Sequence, residues 1–422
     1  MFRTRAAAAT LRWSTTHRKK RSCLSSTDIP IQHGSISEHS ICLSSASIRL
    51  LLRLEIEDDR MLDTHRSISG TSAPMPLRDR SVPHIPASNG NCKTYFSDVD
   101  LDGPGRSVGF LYIPQSPDHD AWGTVRIPLA VVANGTGPTV IVEAGNHGDE
   151  YEGQIIVGEL IRSLAPSQVQ GRLILVPSVN IPASTAGKRT SPDDGLNLNR
   201  VFPGDHAGSI TQQIAAFFSD ELLSRADAFL SLHSGGSSLD IVPSALVQPA
   251  QDPFQQQRNL DAVLAFGASI NVQLNNLGDT RTCVASAVAA GLTCVSTEMA
   301  GRGTVDRDAL ALCRRGVFKV LQHWGVLDSG LDLPRPEART LHRVLGPQSY
   351  IIAGEDGVFE GLHHPGEPVC AGETAGRIHF LTDPRKLPVV LTYTADGIVF
   401  ARRQPGRVRP GNVCAVVATP DS

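Results

Sequence analysis

Between residues 125 and 321, short apolar runs alternate with stretches of helical periodicity, and this alternation constrains the chain more than any other feature. Residues 125–132 (VRIPLAVV) and 139–143 (TVIVE) read as strands, and the Asn134-Gly135-Thr136-Gly137 turn between them predicts a hairpin. Residues 154–164 place apolar side chains at helical spacing ahead of Pro166, which predicts a helix. The run 173–179 (LILVPSV) suits a strand buried on both faces. Further on, 209–223 reads as helix, 228–232 as strand, 281–290 as helix, 292–297 as strand and 306–321 as helix. Such alternation predicts an α/β fold, a mostly parallel mixed sheet with helices on both faces.

Both ends of the chain differ from this middle. After Pro334 the sequence is punctuated by glycine and short β-like runs, which predicts a small all-β domain over 334–422. Residues 1–54 carry Arg3, Arg5, Arg12, Arg18, Lys19, Lys20, Arg21, Arg49 and Arg53 against Asp28 and Glu38 alone. An Arg- and Ser-rich, acid-poor start resembles an organelle transit peptide; the reading preferred here is an initiator further along, at Met61 or Met75. Residues 67–91 read as a Ser/Pro/Gly linker. The expected organisation is therefore an N-terminal extension over 1–94, a catalytic domain over 95–333 and the β domain over 334–422.

Composition excludes several classes of function. A net charge of −3 gives no global field to draw in polyanions, and 5% aromatic residues leave few stacking platforms, so no nucleic-acid partner is expected. Apolar stretches are short and interrupted, so no membrane partner is expected either. The eight cysteines include no Cys-x-x-Cys pair, which fits free thiols in a reducing, cytoplasmic setting better than a thiolate zinc site.

The strongest chemical signal is Gly145-Asn146-His147-Gly148-Asp149-Glu150-Tyr151-Glu152-Gly153, directly after a predicted strand. His147 and Glu150 at a strand end can face one point, supplying two of the three protein ligands that a catalytic zinc needs. His233 follows the apolar run 229–232, again at the carboxyl end of a strand, where sites form in open α/β sheets. Alone, His233 reads as a capped core histidine; with His147 and Glu150 it completes a His, Glu, His set with an open fourth position. Glu298, ending another apolar run, is the candidate general base and acid, with a salt bridge to Arg302 as the alternative. In the loop 188–204, Asn199 and Arg200 can present an amide and a planar guanidinium to a carboxylate. Arg189 can polarise a scissile carbonyl. For both arginines the ordinary alternative is surface ion pairing.

GNHGDEYEG, LNLNRVFPG, LSLHSGG and STEMAGRG, in this order, resemble the succinylglutamate desuccinylase and aspartoacylase family of the zinc carboxypeptidase superfamily. The resemblance covers roughly residues 95–400. It implies a zinc-carboxypeptidase-like fold and one Zn2+ per chain on His147, Glu150 and His233. It also implies Glu298 as the catalytic glutamate, Asn199 and Arg200 as a carboxylate clamp, and Arg189 on the carbonyl. The runs 121–128 (AWGTVRIP) and 234–240 (SGGSSLD) are further similar to the subgroup that deacetylates N-alpha-acetylated 2,4-diaminobutyrate in ectoine breakdown.

The implied reaction is hydrolysis of a small N-acyl amino acid. A metallocarboxypeptidase and a non-catalytic binding protein are the competing readings; a homo-oligomer is compatible with any of them. A diaminobutyrate side chain carries an ammonium that calls for an acidic partner. Asp240 is the first candidate and Asp149 the second, the alternative for Asp240 being the cap of a turn.

Overall fold

The computed structural model describes residues 77–78, 95–274, 276–328 and 340–421. Most of the expected N-terminal extension, including its proposed initiators and linker, lies outside the described residues. Leu77 and Arg78 do not: Arg78 bridges to Leu292 and donates from one guanidinium nitrogen to the Ser224 and Ala226 carbonyls at 3.0 and 2.9 Å. Contacts with the fold therefore begin upstream of Tyr95.

The strands of the first half are β1 (Phe96–Ser97), β2 (Gly105–Gln115), β3 (Gly123–Asn134), β4 (Thr139–Ala144) and β5 (Gly171–Val176). They continue with β6 (Ala228–Leu232), β7 (Leu239–Val247), β8 (Ile270–Gln273) and β9 (Thr293–Gly301). The helices are α1 (Tyr151–Ser163), α2 (Ile181–Ala186), α3 (Ile210–Phe217), α4 (Pro253–Phe266), α5 (Cys283–Ala289) and α6 (Arg307–His323). The second half contributes β10 (Thr340–Arg343), β11 (Tyr350–Ile352), β12 (Gly357–Gly361), β13 (Pro368–Val369) and β14 (Thr374–His379). It ends with β15 (Val389–Thr392), β16 (Gly397–Arg403), β17 (Arg407–Val408) and β18 (Val413–Pro420).

The fold is mixed α/β. Its main sheet runs β1-β2-β3-β5-β4-β6-β9-β7-β8-β10-β18-β16-β13. Parallel pairing holds the middle, β5-β4-β6-β9, and returns at β7-β8-β10; the joints at β3-β5 and β9-β7 are antiparallel. The predicted hairpin does not form. Instead β5 inserts between β3 and β4, and Gly137 packs so closely on the start of β5 that a Cβ there would lie 2.9 Å from the Gln170 carbonyl oxygen. The Asn134–Gly137 segment is a crossover rather than a two-strand turn.

Alternation along the central strands explains the two apolar layers. Val140, Val142 and Ala144 face α1, α4 and α6, burying Ile156, Val157 and Leu160 of α1. Ile141 faces the opposite side with α3 and α5. Full burial of each large aliphatic side chain contributes about 1.5–3 kcal/mol, so α1 is fixed chiefly by its apolar stripe. The predicted helix 209–223 is α3 only as far as Phe217; the chain then widens into a π turn over Phe218–Leu222. The widening buries Phe218, Leu222 and Leu223 together while Asp220 meets His206 at 2.9 Å.

Sequence patterning missed β1, β2, β7, β8, β10, β16, β17, β18, α2 and α4. The strand β7 bulges between Ile241 and Ser244, which interrupts its period, and α4 is rich in Gln and Asn. The strands after Thr340 divide between two sheets. β10, β11, β13, β16 and β18 extend the main sheet, and β16 pairs with β7; β15-β14-β12-β17 form a separate four-stranded sheet.

Candidate metal centre and active site

β4 and β6 are parallel neighbours that end in register at Ala144 and Leu232. The segments that follow therefore leave the same edge of the sheet. After β4 the chain turns through Gly145 at φ +70°. Gly148 packs on α2 so closely that a Cβ would lie 2.0 Å from the Ala183 carbonyl carbon. That close approach is what the glycines of the GNHGDEYEG run permit. Glu150 then stands at the N-cap of α1 without capping it, because its carboxylate is engaged elsewhere.

His147 Nδ1 lies 2.7 Å from Glu150 Oε1, and His233 Nδ1 lies 2.8 Å from Glu150 Oε2. The three side chains are 2%, 3% and 7% exposed, and one donor atom from each falls within 4.8 Å of the others. On the far side of the ring, His147 Nε2 meets Asn197 Oδ1 at 3.2 Å, an oxygen that also accepts from the Asn199 N–H at 2.9 Å. An amide oxygen only accepts, so Nε2 carries the proton and Nδ1 keeps its lone pair. Two imidazoles and one carboxylate converging this closely call for a positive charge among them, either a proton on an imidazole or a metal cation. A divalent zinc with an open fourth position fits that donor set.

Without a metal, a proton on His233 takes that place. Burial pushes the His147 pKa down. Burial alone would raise Glu150, but the flanking His147 and His233 hold it well below the usual carboxylate range. His233 is opposed by burial yet lifted to about 9, chiefly by the Glu150 carboxylate.

Glu298 sits on β9 opposite Ser244, half-buried on the wall of the same cavity, and its Oε2 is occluded with no partner among the described residues. Burial, reinforced by the Glu150 charge, pushes its pKa up to about 8. The alternative salt bridge does not form, since Arg302 turns to Asp306 at 2.6 Å and Asp240 at 3.6 Å. Arg189 reaches the cluster, its guanidinium 3.3 Å from His147 Nδ1 and 3.4 Å from Glu150 Oε1. Asn199 accepts the Cys283 N–H on Oδ1 at 2.8 Å, which leaves its NH2 as a donor. Arg200 is held by Asp279 at 3.2 Å and by the Asn199 carbonyl at 2.6 Å. These seven residues line one cavity of about 230 Å³, walled further by Leu239, Ile241, Leu246, Tyr350, Phe400 and Val416. That volume lies below the usual range for ligand sites, about 300–1,000 Å³, and suits a small substrate better than a peptide.

Asp240 stands apart from this group. It lies in the strand β7, just after Leu239, rather than in a turn, does not line the cavity, and lies 3.6 Å from Arg302 and 3.5 Å from Arg402. Asp149 is likewise outside the lining, 3% exposed and accepting from the Ser237 N–H and hydroxyl at 2.8 and 2.7 Å. Sequence reasoning missed Asn197, although it lies two residues before Asn199 in the loop already singled out. It also missed the wall residues of β7 and the C-terminal strands, whose approach depends on pairing between distant segments.

Residues 136–324 match the model of the succinylglutamate desuccinylase/aspartoacylase catalytic domain. The chain is 40% identical over 320 residues to the N-alpha-acetyl-L-2,4-diaminobutyric acid deacetylase of Halomonas elongata, covering 76% of this chain and 93% of that protein. Among solved structures, a succinylglutamate desuccinylase/aspartoacylase from Rhodobacter sphaeroides aligns with a TM-score of 0.73 and 39% identity over 78% of this chain and all of that one. The product-bound ectoine utilization protein EutE (DoeB) from Ruegeria pomeroyi aligns with a TM-score of 0.75 and 36% identity, again over 78% of this chain and all of that one.

Proposed function

The chain belongs to the succinylglutamate desuccinylase/aspartoacylase family, and from that premise we propose that it is a zinc-dependent deacetylase of N-alpha-acetyl-L-2,4-diaminobutyrate in ectoine degradation. The observation that carries the reading is the convergence of buried His147, Glu150 and His233 beside a carboxyl group, Glu298, whose pKa is displaced to about 8. We assign the catalytic unit to 95–333, a zinc-carboxypeptidase-like sheet, and to 334–422 a β-rich unit whose β10, β11, β13, β16 and β18 extend that sheet. A cytoplasmic setting accords with Cys283, Cys294, Cys313, Cys370 and Cys414, all free thiols.

His147, Glu150 and His233 would hold one zinc ion per chain, which would supply Lewis-acid chemistry at the amide carbonyl and at water. The chain's own groups do the rest. Asn199 donates from its NH2 and Arg200 from its guanidinium to the substrate α-carboxylate, which fixes the amide relative to Glu298. Arg189 donates to the carbonyl oxygen as negative charge develops there. Glu298 takes a proton from water as the water oxygen attacks the acetyl carbon, then delivers it to the nitrogen as the C–N bond breaks. Acetate and the free amino acid result.

Incubating zinc-loaded protein with a panel of N-acyl amino acids, and weighing the products by mass spectrometry, tests this reading. Release of acetate from the diaminobutyrate derivative in preference to succinyl or aspartyl substrates is the expected result.

A further inference from the structure

The substrate proposed above offers three polar handles: the amide, the α-carboxylate and a side-chain ammonium. The first two engage His147, Glu150, His233, Glu298, Arg189, Asn199 and Arg200. Among the described residues lining the cavity, Glu150 and Glu298 are the only acids, and both are committed. Asp240 lies outside, between two permanently charged guanidiniums. The ammonium therefore has to meet an uncharged wall.

The register of the sheet shows which part of the wall is open to it. Leu246 on β7 pairs with Ser296 on β9, and both line the cavity. Gln248, two residues beyond Leu246, also lines it, and its half-buried amide makes no hydrogen bond among the described residues. Beside it, the Leu274 N–H donates to the Val247 carbonyl at 3.1 Å and brings Leu274 and Asn276 to the same wall. Leu246 and Leu274 can cover methylene groups, while the Gln248 and Asn276 amide oxygens can each accept from an ammonium.

Resting on the deacetylase reading, we propose that Gln248 receives the distal end of the substrate side chain, so that the ammonium is read by neutral amide oxygens rather than by a carboxylate. An amide can turn either its oxygen or its NH2 toward a ligand, and it attracts a cation far less than a buried carboxylate does. Discrimination by charge is then shallow. N-alpha-acetyl-L-2,4-diaminobutyrate and the neutral N-alpha-acetyl-L-norvaline, of nearly equal length, should differ by about ten-fold or less in kcat/KM.

The experiment measures kcat/KM on both substrates for zinc-loaded wild type, Gln248→Glu, Gln248→Leu and Asp240→Asn. Calorimetric binding of the two products, 2,4-diaminobutyrate and norvaline, is measured alongside. Gln248→Glu should raise the preference for the charged substrate and product by about ten-fold or more, and Gln248→Leu should lower it. Asp240→Asn should leave the ratio unchanged. A ratio that collapses in Asp240→Asn, or that neither Gln248 variant moves, overturns the proposal. Absence of acetate from both substrates would instead contradict the deacetylase reading, and product binding would still report on Gln248.

Discussion

Glu150 and Asp240 are both carboxylates withdrawn from solvent at one end of the sheet, and their surroundings assign them opposite fates. Glu150 is flanked by two imidazoles, which can be neutral and keep lone pairs for a cation. Asp240 is flanked by two guanidiniums, which cannot give up their protons and already neutralise its charge. A buried carboxylate is placed to bind a metal where its partners can donate electron pairs. Sequence position alone does not distinguish the two, since each lies next to a strand end and a glycine-rich turn.

The largest effect expected from this contrast is at Glu150. Glu150→Gln removes the one negative charge of the ligand set, so zinc content should fall toward zero and turnover to background. Metal analysis of the folded variant checks it, and a variant that keeps zinc would erase the distinction between the two carboxylates. Next comes Glu298→Gln, which should retain zinc but lower kcat by about 10²–10⁴-fold, read by acetate release.

A smaller effect concerns pH and the metal-free protein. Glu298 has a folded pKa raised to about 8, so its contribution to stability is complete below the ordinary carboxylate range and is lost as pH rises through 8. Glu150 has the opposite sign: its contribution is present above the ordinary range and is lost as pH falls toward its depressed value. The Tm of metal-free wild type should therefore decline between about pH 5 and 8, and less steeply in Glu298→Gln. Equal slopes in the two proteins would show that the Glu298 carboxyl is not displaced. The smallest effect is at Asp240. Its two pairs are long and partly exposed, so Asp240→Asn should cost about 0–1 kcal/mol of stability, measured by denaturant unfolding.

Much of the site was legible because it sits where strands stop. The apolar runs before Gly145 and His233 mark the carboxyl ends of β4 and β6, and His147, Glu150 and His233 follow within a few residues, whereas Glu298 lies inside β9, which runs on to Gly301. The order of those strands was less legible. Nothing local in Asn134–Gly137 announces that β5 will insert between β3 and β4, because that depends on packing against residues 170–171. Asp240 reads as a partner for a substrate ammonium for a related reason: the bulge in β7 hides its period, and the partners Arg302 and Arg402 arrive from 62 and 162 residues further along. Short-range chemistry can be read from neighbours in sequence, whereas charge compensation across the sheet cannot.

The central claim is that His147, Glu150 and His233 hold one zinc on which the hydrolysis depends. It is tested most directly by stripping the protein with a chelator and titrating zinc back while following acetate release from N-alpha-acetyl-L-2,4-diaminobutyrate. Activity should be absent at the start, rise linearly and level off at about one zinc per chain. Full activity in the stripped protein, or a rise that Glu150→Gln reproduces, would contradict the account.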